Sequence, residues 1–509
     1  MKEAMMILFA RVNIRVLALA IVLLSPAVPA MGGAAGSALP RATPESQGIS
    51  SAGLQALYTD ADTGQYGIHG LMVLRHGKVV SEGWWLPYTA DDPHELYSLS
   101  KSFTSTAIGL LQAEGRINIH DKLLSFFPDE APSDASENLK NMRLRDLLMM
   151  STGQQPEDVD HIKIGAADGS GTRQFLAAPV KHKPGTLFYY NSPASYMLSA
   201  TVQKVTGQTV RDYLVPRLFE PLGIATPAWD LSPQGYNIGA SGLHLRTEDV
   251  AKFGQLLLQR GEWNGRRLLP AEWVDQATAR QTSNGSNPDS DWDQGYGFQF
   301  WRCTSGFYRG DGAFGQFVIV MPQYDTVVAI HSGSRDMGRI MKMLWARLLP
   351  ELRAASLPED RGAQGALQAR LAHLQLPVTS GAVKKSLAAT ISGRVYQLEP
   401  NDERIEAVSL GFAKSGSATL KFRQSGVDET LSIGDDAWSA CQQSKSAGRL
   451  ATSGAWTAND TYTIQAAVCG TPYVLTFRHK FAGDALMIER ETNVSFGKDK
   501  LATLRGKSG

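Results

Sequence analysis

Tyr97-Ser98-Leu99-Ser100-Lys101-Ser102-Phe103 heads a segment in which Phe103, Ala107, Leu110 and Leu111 recur at helical spacing, and Gly115 closes it. The pattern predicts a helix that begins near Ser98. Ser98 and Lys101 stand three residues apart, so their side chains point the same way, one turn apart. A serine hydroxyl is a poor nucleophile until a base takes its proton. Lysine ordinarily titrates near about 10.4, but burial or a cationic neighbour lowers it toward about 7 to 8, where it becomes a competent base. The helix start adds a free backbone N–H and a positive dipole end beside a carbonyl under attack. Taken alone, the spacing also describes a solvent-facing Ser/Lys pair.

Two further stretches could complete such a site. Pro184-Gly185-Thr186-Leu187-Phe188-Tyr189-Tyr190-Asn191-Ser192 precedes a helical run containing Tyr196, Met197, Leu198 and Val202. It could present a phenol and short polar groups to a cleft, or simply be a turn and helix cap with packed aromatics. Gly310-Asp311-Gly312-Ala313-Phe314-Gly315-Gln316 enters the strand-like run Phe317 to Met321. Its glycines permit close approach of a ligand to the backbone, or mark an ordinary tight turn. A backbone N–H here, paired with that of Ser98, would form an oxyanion hole.

In their order and company these segments resemble the class C β-lactamase-like serine hydrolases of the serine β-lactamase and penicillin-binding-protein superfamily, family VIII-type esterases included. The resemblance covers about residues 44–350. It includes Thr43-Pro44-Glu45-Ser46-Gln47-Gly48, Arg145-Asp146-Leu147-Leu148 with Ser151-Thr152-Gly153, Ser241-Gly242-Leu243, and Asn264-Gly265 followed by Leu269-Pro270. It implies an α+β domain: an antiparallel sheet flanked by helices, beside a helical region, with the site between them. It implies Ser98 as the acylated nucleophile and Lys101 as its activator. Tyr190 matches the second-motif tyrosine by its distance from Pro184-Gly185-Thr186, giving the triplet Tyr190-Asn191-Ser192. The frame Tyr189-Tyr190-Asn191 restores the commoner asparagine but breaks that spacing. The third motif falls on Ala313-Phe314-Gly315, without its usual Lys or His, and Gln316 follows as the second oxyanion N–H. Asn191, Ser192, Ala313, Phe314 and Gly315 are the expected substrate contacts. Loss of the cation removes the anchor for the carboxylate of β-lactams and D-alanyl peptides, and Phe314 favours a neutral acyl group.

The surrounding chain is organised around this core. Lys2, Arg11 and Arg15 precede the apolar run Val16 to Leu24, then Ser25-Pro26 and Ala27-Val28-Pro29-Ala30. That is the layout of a secretory signal peptide over residues 1–30. The run is too short for a span of about 20 residues, and a short uncleaved anchor is the alternative. Residues 31–44 read as a flexible lead-in and 45–350 as the hydrolase domain. There Gly70 to His76, Gly297 to Trp301, Phe317 to Met321 and Thr326 to His331 are expected strands, and a helix runs from an N-cap at Thr247 toward Gly261. Residues 351–385 read as linker with a helix around Ala366 to Leu376. Alternation in Tyr462, Ile464, Ala466, Val468 and in Tyr473, Leu475, Phe477 predicts an all-β domain over 386–509. Cys441 and Cys469 lie in it as a disulfide or as two buried thiols; pairing would contribute roughly 3 to 4 kcal/mol.

Composition narrows the function. The 509 residues carry 50 Lys+Arg against 49 Asp+Glu, so nothing favours nucleic acid or an anionic surface as a partner. Three cysteines exclude a disulfide-built scaffold. Ten scattered His without HExxH or Cys-pair spacing give no metal site, and no Gly-x-Ser-x-Gly elbow occurs. The expectation is a secreted or periplasmic serine hydrolase needing no cofactor and acting on a small-molecule ester, amide or lactam. A penicillin-recognising sensor with little turnover is the alternative. For the β domain, cleft shaping, self-association and cell-wall contact all stay open.

Overall fold

The structure is a computed structural model that describes residues 38–165, 168–225, 227–381, 387–413 and 417–509. The expected signal peptide lies outside the described residues. Among those described, no helix is long and apolar enough to cross a membrane.

A six-stranded antiparallel sheet organises the first domain. Its strands are β1 (Ile68–Arg75), β2 (Lys78–Trp84), β3 (Trp301–Arg302), β4 (Tyr308–Gly312), β5 (Gln316–Met321) and β6 (Thr326–Ser332), in the order β2-β1-β6-β5-β4-β3. Side chains alternate between faces along a strand, and here both faces are covered. Leu71, Val73, Phe317, Ile319, Val328 and Ile330 enter one core with α1 (Ser51–Ala61). Met72, Leu74, Val318, Val320, Val327 and Ala329 enter a second core on the opposite face. That double coverage explains why β1, β5 and β6 read as unbroken apolar runs.

The helix behind the opening heptapeptide is α2 (Ser100–Ala113), entered through a 3₁₀ turn over Tyr97–Leu99. Its apolar spacing suggested one buried face, yet every residue from Ser100 to Leu111 is buried. Several of its polar groups have partners there, although the buried Ser105 hydroxyl has none among the described residues. Ser102 Oγ donates to Gln299 O at 2.9 Å, and Thr104 Oγ1 donates to Gly239 O at 2.9 Å. Gly109 is required by packing: a Cβ there would stand 2.4 Å from the Trp273 indole. The helix therefore sits between the sheet and the helical region that contains α3 (Ser192–Thr206). The second expected helix is α4 (Thr247–Leu258), but its N-cap is Arg246, whose N–H is taken by the Asp249 carboxylate at 3.3 Å.

Three expectations need correcting. Gly297 to Trp301 is not a strand: Gln299 adopts φ +68°, and its side chain ties Leu148 O and Ser195 Oγ, at 2.8 and 2.6 Å. The sheet edge is β3 instead. The described part of the lead-in is docked, since Leu39 is buried and Arg41 pairs with Glu82 and Glu248. Residues 351–381 are less a linker than an outer layer of the first domain. Helix α5 (Met337–Arg347) and helix α6 (Arg361–Leu371) both pack on α1. Helix α6 starts earlier than expected because Asp360 caps it, and Leu376 N donates to Leu86 O at 2.8 Å.

The C-terminal region is all β, as expected. Its strands are β7 (Val395–Leu398), β8 (Ile405–Phe412), β9 (Ala418–Gln424), β10 (Val427–Asp435), β11 (Gln442–Ser444), β12 (Gly448–Ala458), β13 (Thr461–Val468), β14 (Val474–Ala482), β15 (Ala485–Thr492) and β16 (Lys500–Ser508). Nine of them run β10-β9-β8-β7-β16-β15-β14-β13-β12, and β10 closes on β12 through Gly434/Ser453 and Asp435/Gly454. Closure into a barrel removes the exposed sheet edges. Tyr396, Trp456, Tyr462, Phe481 and Ile488 belong to its core.

The barrel is fastened to the first domain near Ser98. Glu95 N donates to Gly470 O at 2.9 Å, Tyr88 Oη to Thr471 O at 2.9 Å, and Arg449 pairs with Asp92 at 2.8 Å. Cys441 and Cys469 form a disulfide that closes a loop of sequence separation 28, with Cα atoms 6.5 Å apart. By the loop-entropy argument this link contributes about 3 to 4 kcal/mol. The double variant Cys441→Ser, Cys469→Ser is expected to lose that much, read as a lower urea midpoint of the tryptophan signal. An unchanged midpoint would show that the link carries no stability.

Candidate active site

Lys101 Nζ lies 2.9 Å from Ser98 Oγ and 2.8 Å from Ala240 O. The lysine is 1% exposed, whereas Ser98 is only partly buried. This is an amine held dry behind a reachable hydroxyl. Burial disfavours the charged form and pushes Lys101 down to about 7, with the Asp311 carboxylate pulling the other way. A neutral amine has one lone pair. With one N–H given to the Ala240 carbonyl, that lone pair can face the Ser98 hydroxyl.

Tyr190 completes the cluster. Lys101 Nζ lies 5.1 Å from its ring centroid. The ring stacks on Trp301, with centroids 5.4 Å apart, and meets Tyr296 edge-on. Burial raises the Tyr190 pKa, Asp311 adds to the rise, and contact with Ser98 offsets part of it. Tyr190 therefore stays a phenol, a proton donor rather than a phenolate base. Tyr189 faces elsewhere, donating to Asp160 at the edge of the helical region. Of the two tyrosines, it is Tyr190, at the expected spacing from Pro184-Gly185-Thr186, that lies beside Lys101.

The rest of the second motif is partly structural. Asn191 caps α3, accepting from Ala194 N at 3.1 Å, and its amide donates to Thr152 Oγ1 and Gln154 Oε1, both at 3.2 Å. It is committed to the helix start and not turned to a substrate, a correction to its expected role. Ser192 opens α3, with its hydroxyl buried and unpartnered among the described residues.

The third segment forms the turn between β4 and β5. Gly312 accommodates the backbone of the turn that carries Ser98 and Gly310 the Leu99 side chain, not the ligand expected from sequence. A Cβ at Gly312 would stand 2.0 Å from Leu96 O, and one at Gly310 2.4 Å from Leu99 Cδ1. Strand β4 thereby lies directly on the turn that carries Ser98. Phe314 and Gly315 both take positive φ, +65° and +93°. The Phe314 carbonyl accepts from Ser332 Oγ at 2.6 Å and from Ser334 N at 2.9 Å. The Gln316 amide donates to Ser332 O at 2.7 Å and Ala313 O at 3.1 Å. Its side chain therefore fixes the turn while its backbone begins β5. Ala313 is half-buried and brings no cation.

Sequence reasoning missed Asp311 and Gln299. Asp311 is buried, ion-paired with Arg309 at 2.9 Å and accepting from Trp292 Nε1 at 3.1 Å. Its position next to Gly310 and Gly312 was visible, but its reach to Lys101 was not. Among the described residues no group of His, Cys, Asp and Glu could hold a metal ion.

A Ser-Lys pair at a helix start, a buried phenol and a turn leading into a sheet strand are parts that serine acyl transfer can use. The chain belongs to the beta-lactamase family, whose sequence profile matches residues 54–349, and is a serine hydrolase of that family. It is 27% identical over 276 residues to the 6-aminohexanoate-dimer hydrolase of Paenarthrobacter ureafaciens, covering 50% of this chain and 70% of that protein. It is 25% identical over 321 residues to penicillin-binding protein 4 of Amycolatopsis lactamdurans, covering 55% and 82%. A solved structure of a Bacillus anthracis protein named for 6-aminohexanoate-dimer hydrolysis superposes with TM-score 0.53 at 19% identity. The match covers 64% of this chain and 90% of that one, and supports the fold.

Three outcomes follow for the cluster. If neutral Lys101 is the base, the rate of Ser98 acylation rises about tenfold per pH unit up to about 7 and is flat above. A pH profile of covalent labelling checks this. The amine is charged in the unfolded chain and destabilises the fold most below pH 7, less as pH climbs to its unfolded value. Lys101→Met is therefore expected to abolish labelling yet raise the urea midpoint at pH 7, with the gain shrinking toward pH 10. If Tyr190 protonates the leaving group, Tyr190→Phe slows alkyl esters and amides by about 10²-fold or more. It spares p-nitrophenyl esters, whose leaving group needs no proton. Equal losses in both series would remove that role.

Proposed function

We propose that the protein is an exported serine acyl-hydrolase that cleaves neutral esters or small linear amides, with β-lactams as poorer substrates. The observation that carries this reading is the buried Lys101 amine 2.9 Å from Ser98 Oγ. Ser98 Oγ attacks the carbonyl carbon while Lys101 takes its proton. The backbone N–H groups of Ser98 and Gln316 hold the oxyanion. The intermediate collapses as Tyr190 gives a proton to the departing oxygen or nitrogen and recovers one from Lys101. Water then releases the acid from the Ser98 ester.

Substrate preference follows from the third motif. Ala313 offers no charge to a substrate carboxylate, and Phe314 presents an apolar ring near the oxyanion strand. The relatives named above as a 6-aminohexanoate-dimer hydrolase and a penicillin-binding protein support acyl transfer at amide or lactam carbonyls as the reaction class. Export is supported by the leader pattern and by the Cys441–Cys469 link, since disulfides persist in oxidising compartments.

A fluorophosphonate probe, a p-nitrophenyl ester series and a chromogenic cephalosporin, on wild type and Ser98→Ala, test the reading. Labelling of Ser98 with turnover of short esters is expected, and Ser98→Ala loses both. Stoichiometric labelling without turnover would instead identify a sensor. Cephalosporin hydrolysis faster than ester hydrolysis would reverse the substrate order.

A further inference from the structure

We infer that the C-terminal barrel builds part of the substrate pocket: Tyr473 and Phe496 join Tyr97 and Phe314 in an aromatic wall beside Ser98 that selects a medium-chain or ring-bearing acyl group. The inference rests on the acyl-enzyme reading above. Tyr97 directly precedes the nucleophile, and Phe314 lies two residues before the oxyanion strand residue Gln316. Phe496 packs on both, with ring centroids 4.6 Å from Phe314 and 5.7 Å from Tyr97. Tyr473 lies 6.0 Å from Phe314, and its hydroxyl is 2.7 Å from that of Tyr97. Ala313 and the buried Val494 complete the cluster.

The barrel side is anchored, not merely adjacent. Asn493 Nδ2 donates to Gly333 O at 3.1 Å and Pro472 O at 2.9 Å, and Arg335 donates to Thr492 O at 3.0 Å. Phe496 and Tyr473 are nevertheless only half-buried, so apolar ring surface is left for a ligand to cover.

The side of the scissile bond follows from a second aromatic cluster. Tyr190, the proposed donor to the leaving group, packs with Phe188, Tyr296 and Trp301. That cluster is separate from the one around Tyr97 and Phe314. Ser98 borders both, bonded to Tyr97 of the first and in contact with Tyr190 of the second, so a leaving group at Tyr190 directs the acyl chain toward Phe314, Tyr473 and Phe496.

The test measures kcat/KM for p-nitrophenyl acetate, octanoate and phenylacetate on the full-length wild type, Phe496→Ala and Phe496→Tyr. Paired methyl and octyl fluorophosphonates report Ser98 labelling rates in parallel. Wild type is expected to favour octanoate and phenylacetate over acetate. Phe496→Ala should cut the octanoate-to-acetate ratio about tenfold, cut the octyl-to-methyl labelling ratio likewise, and Phe496→Tyr should restore both. A purely structural Phe496 would lower all substrates together with the ratio unchanged, which overturns the inference while Ser98 labelling keeps the hydrolase reading. A ratio that follows the alcohol in an alkyl ester series places the wall on the leaving side and also overturns it. Failure of the wild type to label with either probe sinks the hydrolase reading and the acyl wall together.

Discussion

An uncharged lysine is the constraint on which the site depends. Moving the Lys101 amine from water to a buried position beside Ser98 and the Ala240 carbonyl lowers its pKa from 10.5 to about 7. Each unit of such a shift corresponds to about 1.4 kcal/mol, so below pH 7 the fold carries a penalty of a few kcal/mol. The surroundings show how that penalty is sustained. Helix α2 is enclosed on all sides, and its Ser102 and Thr104 hydroxyls bond backbone carbonyls. Among the described residues the carboxylate that reaches the amine is Asp311, and it is held by Arg309. A free anion in that place would restore the ammonium and remove the base. The Arg309–Asp311 pair thus lets a polar strand end lie beside the amine while limiting its pull.

Backbone geometry does the remaining positioning. Glycines at 310 and 312 let β4 press onto residues 96–102, closer than any Cβ would allow. Tyr97 adopts φ +47° just before the nucleophile, and Phe314 adopts +65° just before the oxyanion strand. Non-glycine residues hold such conformations when surrounding contacts over-determine them. Here the contacts are Ser332, Ser334 and Gln316 on one side and the Tyr473 hydroxyl on the other. The turn that carries Ser98 and the turn that enters β5 are two strained corners braced against each other.

Much of this was legible in the chain, for physical reasons. The Ser98/Lys101 spacing, the distance of Tyr190 from its Pro-Gly-Thr turn and the apolar strands are local patterns, and local periodicity survives in one dimension. The alternation after residue 386 foretold an all-β unit but not its closure, because the β10/β12 pairing depends on register between distant strands. Gln299 escaped notice because its importance lies in carbonyls of residues 147 and 148, far away in sequence. Asn191 was misassigned because a cap and a substrate ligand are the same residue type in the same place. The glycines at 310 and 312 correctly signalled close approach, but a sequence cannot say what approaches.

The absent third-motif cation and the attached barrel are two faces of one change in the cleft. Ala313 leaves that turn without charge. Arg335 follows Ser334, whose N–H bonds Phe314 O. It is tied to Asp499 and to the carbonyls of Thr492 and Asn493 on the barrel. Its charge is balanced inside the interdomain contact and is not directed at a substrate carboxylate. Where an ammonium could have drawn anionic ligands, the cleft presents Phe314, Phe496 and Tyr473. Electrostatic attraction acts over several ångströms and favours any anion of suitable size. An aromatic surface acts only on contact and in proportion to the apolar area it covers. On the proposed reading, exchanging one for the other moves discrimination from the charge of the substrate to the shape of its acyl group, and the barrel then belongs to the substrate-binding unit.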